Sequence, residues 1–161
     1  MVDMKSALAY SCNCYFAALA DEIGAGKLAK TMRQVGMDAD SRFELETSRN
    51  SIYLAKGATE SELVETAIGQ GRTGVTPLYM AMLASAFAND GMMMKPYIVD
   101  HVVYPDGTET KNTVPEKLTE ICTAEEAAAI KDMMIGVVSG GTGTAAAING
   151  VTVAGKTGTA E

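Results

Sequence analysis

Cysteine is scarce: Cys12, Cys14 and Cys122 are the only three in 161 residues. An odd, sparse set is no disulfide framework, and Cys-x-Cys is not the spacing of a structural zinc site. Free thiols are expected, and no metal site. No apolar run approaches the ~20 residues that a membrane-crossing helix needs. No basic segment followed by an apolar stretch and a cleavage site marks a leader. Positive charge is also short, with 13 Lys and Arg against 20 Asp and Glu and a net charge of −7. That excludes the basic face of a non-specific nucleic-acid binder. Histidine occurs once, as His101 in a strand-like pattern, and is expected to take no catalytic part. No repeat of fixed period is found. What remains, 47% apolar and 20% charged residues, is the composition of one globular domain.

Helical signals dominate. Leu8, Cys12, Tyr15, Phe16, Leu19 and Ile23 recur at three-to-four-residue spacing, which predicts an amphipathic helix over 4–23, ended at Gly24 and Gly26. Leu28, Met32 and Val35 mark a short second helix stopped at Gly36. Residues 37–58 are polar and irregular and read as a long loop, the kind that often serves as a lid or binding loop. Thr59 to Glu62 fits a capping box, as does Thr123 to Glu126. Thr76-Pro77 opens another helix, closed by Asn89-Asp90-Gly91. Tyr97 to Tyr104 and residues 108–114 form a predicted hairpin about Pro105-Asp106-Gly107. The last helix stops at Ser139-Gly140-Gly141, residues 142–148 add a further turn, and the β-branched run from Val151 predicts a final strand over 151–157. The methionines, 11 in number, fall mostly on apolar helical faces and read as core fillers.

Gly150 to Thr157 fits the phosphate-loop pattern G-x-x-x-x-G-K-[ST] letter for letter. The physics does not fit. A phosphate loop needs its strand before the first glycine and a helix after the lysine, whereas here the β-branched residues lie between the two glycines. Lys156-Thr157-Gly158-Thr159 still offers a cation, two hydroxyls and open backbone amides to an anion. At the other end, Ser11-Cys12-Asn13 places a hydroxyl and a carboxamide where both could face one cavity from a turn between helices. Ser-x-Asn alone is a weak signal, and these residues could be ordinary helix-surface groups. Paired with a later Lys-Thr-Gly it is far more specific. Gln70 and Arg72 could be cleft residues or solvated loop groups. The Glu44, Glu46, Glu60, Glu62 and Glu65 group is expected to be a solvated face.

With these motifs the chain resembles the penicillin-binding proteins, whose signature set is S-x-x-K, S-x-N and K-T-G. Gly69-Gln70-Gly71, Val75-Thr76-Pro77-Leu78 and Gly143-Thr144-Ala145 are similar too, and the Lys-Thr-Gly-Thr-Ala-Glu ending is most similar to the monofunctional class B transpeptidases. The resemblance implies an α+β fold: the mostly helical part of a transpeptidase domain like that of serine β-lactamases, with a hairpin and one truncated core strand. It implies a peptidoglycan D,D-transpeptidase working through an acyl-serine without a cofactor. The stem peptide and β-lactams would be its partners, outside the bacterial cell membrane and held there by an N-terminal anchor absent from these residues. Ser11, Asn13 and Lys156 would be catalytic, with Ser11 relaying a proton, Asn13 holding the peptide and Lys156 supplying charge. Thr157, Gly158 and Thr159 would bind substrate, the two hydroxyls on its carboxylate and the Thr159 N–H on the oxyanion. A β-lactam receptor or β-lactamase shares this logic, and a helical interaction module with accidental motifs is the non-enzymatic alternative.

One element is missing. None of the lysines has a serine three residues before it, and only ten residues precede Ser11, where the family places its nucleophile several tens of residues upstream. Residues 1–161 are therefore expected to be a partial transpeptidase domain, inactive alone. The terminal strand, without neighbours, is expected to pair with another molecule, fray, or pack on the helices.

Overall fold

Helix starts follow the capping chemistry. In the computed structural model, which describes residues 2–54 and 57–158, Asp3 accepts the Ser6 N–H and opens α1 (Met4–Ala9). Both predicted capping boxes form: Thr59 with Glu62 at α4 (Glu60–Ala67), and Thr123 with Glu126 at α6 (Ala124–Gly140). Backbone N–H groups bonded to the charged carboxyls hold Asp3, Glu62 and Glu126 below the usual carboxylate range. Thr76 Oγ1 accepts the Tyr79 N–H at the start of α5 (Pro77–Ala88), with proline at its first turn as predicted.

The helix predicted over 4–23 is broken in two. α1 ends before Tyr10, and α2 (Asn13–Ile23) begins after the extended Cys12. Between them Ser11 takes the left-handed conformation, φ 53°. The apolar spacing continues across the break, so periodicity could not see it. α3 (Ala25–Gln34) follows with Gly24 as the shared hinge, φ 78°.

Residues 37–54 form no helix or strand, in keeping with the predicted loop over 37–58, of which 55 and 56 lie outside the described residues; Ser51 makes a single antiparallel bridge to Gly74. Asn50 fastens this loop: its Nδ2 donates to Met37 O (2.9 Å), and its Oδ1 accepts the Thr76 N–H (2.7 Å). A cleft of about 990 Å³ lies between the loop and the Tyr79, Met82 and Met93 side chains.

Two antiparallel pairs complete the α+β architecture. The predicted hairpin forms as β2 (His101–Val103) with β3 (Glu109–Asn112). The second pair, β1 (Met92–Met94) with β4 (Lys117–Glu120), was not predicted, because three methionines in a row show no alternation. The connection into β1 requires Gly91: its φ is 82°, and a Cβ there would collide with the Cys122 carbonyl.

Apolar packing is divided. One buried cluster holds Met37, Tyr79, Met82, Ala86 and Met93. The other holds Ala20, Ala29, Leu54 and Leu63. Ile52 packs against both. Burial pushes the Tyr79 hydroxyl up to about 12, and it donates to Val35 O at 3.1 Å. α6 lies against α1 and α5, and a 3-10 turn at Thr144–Ala146 follows it, as expected for residues 142–148.

The predicted strand over 151–157 is corrected. Val151 bridges only its neighbour Ile148, and 152–158 have no ladder partner. Strand propensity is realised only against a partner strand, and the described residues provide none beside this run. The segment instead packs on α6, where the Gly155 N–H donates to Met134 O (3.2 Å). Among the described residues no helix is long and apolar enough to cross a membrane.

Candidate active site

The turn that breaks the first predicted helix presents Ser11. Its backbone is held by Ser11 N–H to Leu8 O (3.3 Å) and Cys12 N–H to Ala7 O (2.9 Å). Such a left-handed non-glycine residue is locally unfavourable and points to a constraint from elsewhere. Lys156 meets Ser11 at this turn: its Nζ donates to Ser11 Oγ at 2.9 Å and to Thr157 O at 2.7 Å. The motifs at the two ends of the chain, 145 residues apart, therefore meet through one hydrogen bond.

Partial burial lowers the Lys156 ammonium below its ordinary 10.5. The residue as a whole is exposed, so the effect belongs to the ammonium head seated between Ser11 and the Thr157 carbonyl. An ammonium eased toward its neutral form, in contact with a hydroxyl, can pass a proton to and from that hydroxyl. Asn13 is the first residue of α2; it is exposed, and its carboxamide has no partner among the described residues. Gly158 is exposed, with open space where a side chain would be. Thr159 lies outside the described residues.

Thr142 was missed in the sequence. Its hydroxyl lies 2.7 Å from Thr157 Oγ1, and its N–H donates to Ala9 O at 2.9 Å. It thus touches both the end of α1 and the Lys-Thr-Gly segment. Its neighbours Gly141 and Gly143 both donate their N–H groups to Val137 O, at 3.2 and 2.9 Å. A Cβ on Gly141 would collide with the Ala9 carbonyl. The signal available was the glycine on each side of Thr142, a mark of close backbone approach.

Other residues fall elsewhere. The Arg72 guanidinium lies 3.5 Å from the centre of the Tyr53 ring, a cation–π contact. His101 faces Asp100 at 3.2 Å on the exposed hairpin. Glu44 accepts the N–H groups of Ile98 and Val99, while Glu62 and Glu65 bond within α4 and its cap. None of the cleft-lining residues under the 37–50 loop belongs to the Ser11–Lys156 group. No cluster of three or more His, Cys, Asp or Glu suited to a metal occurs among the described residues.

The chain is similar to known proteins along its length. The family model described as the penicillin binding protein transpeptidase domain matches residues 1–161. Peptidoglycan D,D-transpeptidase PbpA of Mycolicibacterium smegmatis is 35% identical over 99% of this chain and 32% of its own length. A crystal structure of the D,D-transpeptidase domain of a peptidoglycan glycosyltransferase from Eggerthella lenta superposes with a TM-score of 0.90 at 36% identity, over 99% of this chain and 42% of that one. The imipenem acyl-enzyme complex of penicillin-binding protein A from M. tuberculosis gives 0.85 at 31% identity, over 99% and 36%. The chain thus spans well under half the length of these relatives. With the Ser-x-Asn and Lys-Thr-Gly residues in contact and the family model matched throughout, the chain belongs to the penicillin-binding protein transpeptidase family.

Proposed function

We propose that these residues supply the Ser-x-Asn and Lys-Thr-Gly half of the active site of a peptidoglycan D,D-transpeptidase, acting at the extracytoplasmic face of the bacterial membrane. The observation that carries this is the 2.9 Å contact of Lys156 Nζ with Ser11 Oγ. A serine from an S-x-x-K element, which these 161 residues do not contain, attacks the penultimate D-alanyl carbonyl. The carbonyl oxygen becomes an oxyanion, held by the Thr159 N–H, a type of donor worth ~3–4 kcal/mol. The peptide C–N bond breaks, D-alanine leaves, and the serine's proton reaches its amine through Ser11, with Lys156 holding that hydroxyl in place. An amine of a second stem peptide then displaces the serine and completes the cross-link. Asn13, exposed beside the turn, holds the acyl-donor peptide, and Thr157 binds its terminal carboxylate, with Gly158 leaving room for the substrate backbone. A β-lactam enters as a substrate mimic, a reading supported by the imipenem acyl-enzyme of the M. tuberculosis relative. Residues 152–158, lacking a ladder partner, are the segment through which a second strand, including one from another copy, would pair.

The test compares this 161-residue chain with the product of the whole reading frame that encodes it, each incubated with fluorescent penicillin and weighed intact. One covalent adduct is expected on the whole product and none on the 161-residue chain. An adduct on the chain would show that a nucleophile has been overlooked. A reading frame with no S-x-x-K upstream of Ser11 would end the enzymatic reading.

A further inference from the structure

The geometry assigns Thr142 a positioning role: when substrate is bound, its hydroxyl donates to Thr157 Oγ1 and so frees the Thr157 proton for the incoming carboxylate. This rests on the reading of Thr157 as a carboxylate binder.

Each hydroxyl carries one proton, and the two oxygens are 2.7 Å apart, so one proton lies between them. Were Thr157 the donor, its oxygen would face the substrate with lone pairs only. A carboxylate is itself acceptor-only, and the pair would repel. With Thr142 as donor, Thr157 becomes an acceptor on one side and a donor on the other, and a short chain runs from Thr142 through Thr157 to the carboxylate. Thr142 Oγ1 has no other partner among the described residues, so no other protein acceptor takes its proton. Its place is also fixed. The Thr142 N–H is held by Ala9 O, two residues before Ser11, and the flanking glycine N–H groups both end on Val137 O. One residue therefore holds the Ser11 turn with its backbone and directs the Thr157 hydroxyl with its side chain.

The experiment measures acylation rate constants of the whole reading-frame product with benzylpenicillin and with its methyl ester, in which the carboxylate is masked. Thr142→Val keeps the shape and the backbone bond but removes the hydroxyl. It is expected to slow benzylpenicillin about fivefold, the typical effect of one hydrogen bond between neutral groups, and to leave the methyl ester rate unchanged. Thr142→Ser is expected to restore the benzylpenicillin rate. If Thr142→Val does not fold, Thr142→Ala, which adds no bulk beside Thr157, serves the same comparison. Equal losses on both substrates, no loss on either, or a serine variant as slow as the valine one would each overturn the assignment. A wild-type product that takes no acyl group from benzylpenicillin would remove the transpeptidase reading and this assignment together. The wild-type reaction therefore separates the two failures.

Discussion

Gly141→Ala should break the joint between the two motifs. Gly141 has φ −104°, outside the left-handed region, and a side chain there carries a cost in space. The added Cβ meets the Ala9 carbonyl oxygen and lies 2.9 Å from Val137 O, both of them main-chain atoms that cannot rotate away. Relief requires α1 and the 141–143 segment to separate, an overpacking of about 1–3 kcal/mol. Separation also stretches the Thr142 N–H bond to Ala9 O, about 0.5–1.5 kcal/mol more. The sum, roughly 2–4 kcal/mol, corresponds to a fall in melting temperature of roughly 5–15 °C for a chain of this size. The neighbouring glycine provides the control. A Cβ on Gly140 meets nothing within 4 Å, and Gly140 ends α6, so Gly140→Ala should be neutral or stabilise by up to about 1 kcal/mol. Thermal melts followed by circular dichroism compare the two. If Gly141→Ala melts with Gly140→Ala, the collision is absorbed without moving the Ser11 turn and the argument for a rigid joint fails.

Two further outcomes follow from the site and the core. Ser11 has φ 53°, so Ser11→Gly should be no less stable than the wild type, while Ser11→Val, β-branched in the left-handed region, should lose about 1–2 kcal/mol. Equal melting of the two variants would mean that no such strain is present. Alkaline stability should depend on Tyr79 and Lys156 with opposite signs, and on Cys122, whose thiol is raised from 9.0 first by burial and so adds to the fall above that pH. The Tyr79 hydroxyl is raised from 10.0 to about 12 by burial, so the unfolded chain ionises first and stability falls between pH 10 and 12. Lys156 is lowered from 10.5 by burial, so below that pH the folded chain binds fewer protons and stability rises with pH up to 10.5. Urea titrations across this range should show a smaller fall in Tyr79→Phe and lose the rise in Lys156→Met, and an unchanged profile in either variant would refute its assignment.

What was legible in the sequence was local. The capping threonines, the Pro77 start and the Asp106-Gly107 turn each act over a few residues, and all appear where expected. The motif residues Ser11 and Lys156 were legible as chemistry, and their contact followed from resemblance. Less visible was whatever depends on distant partners. Val151 to Ala154 has strand chemistry but no strand beside it among the described residues, whereas Met92–Met94 has little but pairs with Lys117–Glu120. The break at Ser11 is a backbone reversal inside an unbroken apolar period. Thr142 was hidden because glycines after a helix are read first as a stop, while here they also let main chains touch.

Ile52 gives the divided core a thermodynamic meaning. It is the partly buried side chain common to the two apolar clusters, and it belongs to a loop rather than to a helix or strand. Cooperative unfolding requires that loosening one cluster raise the free energy of the other, and a shared side chain supplies that coupling. A loop long enough to pass for a lid works here as the link that keeps two small cores melting as one.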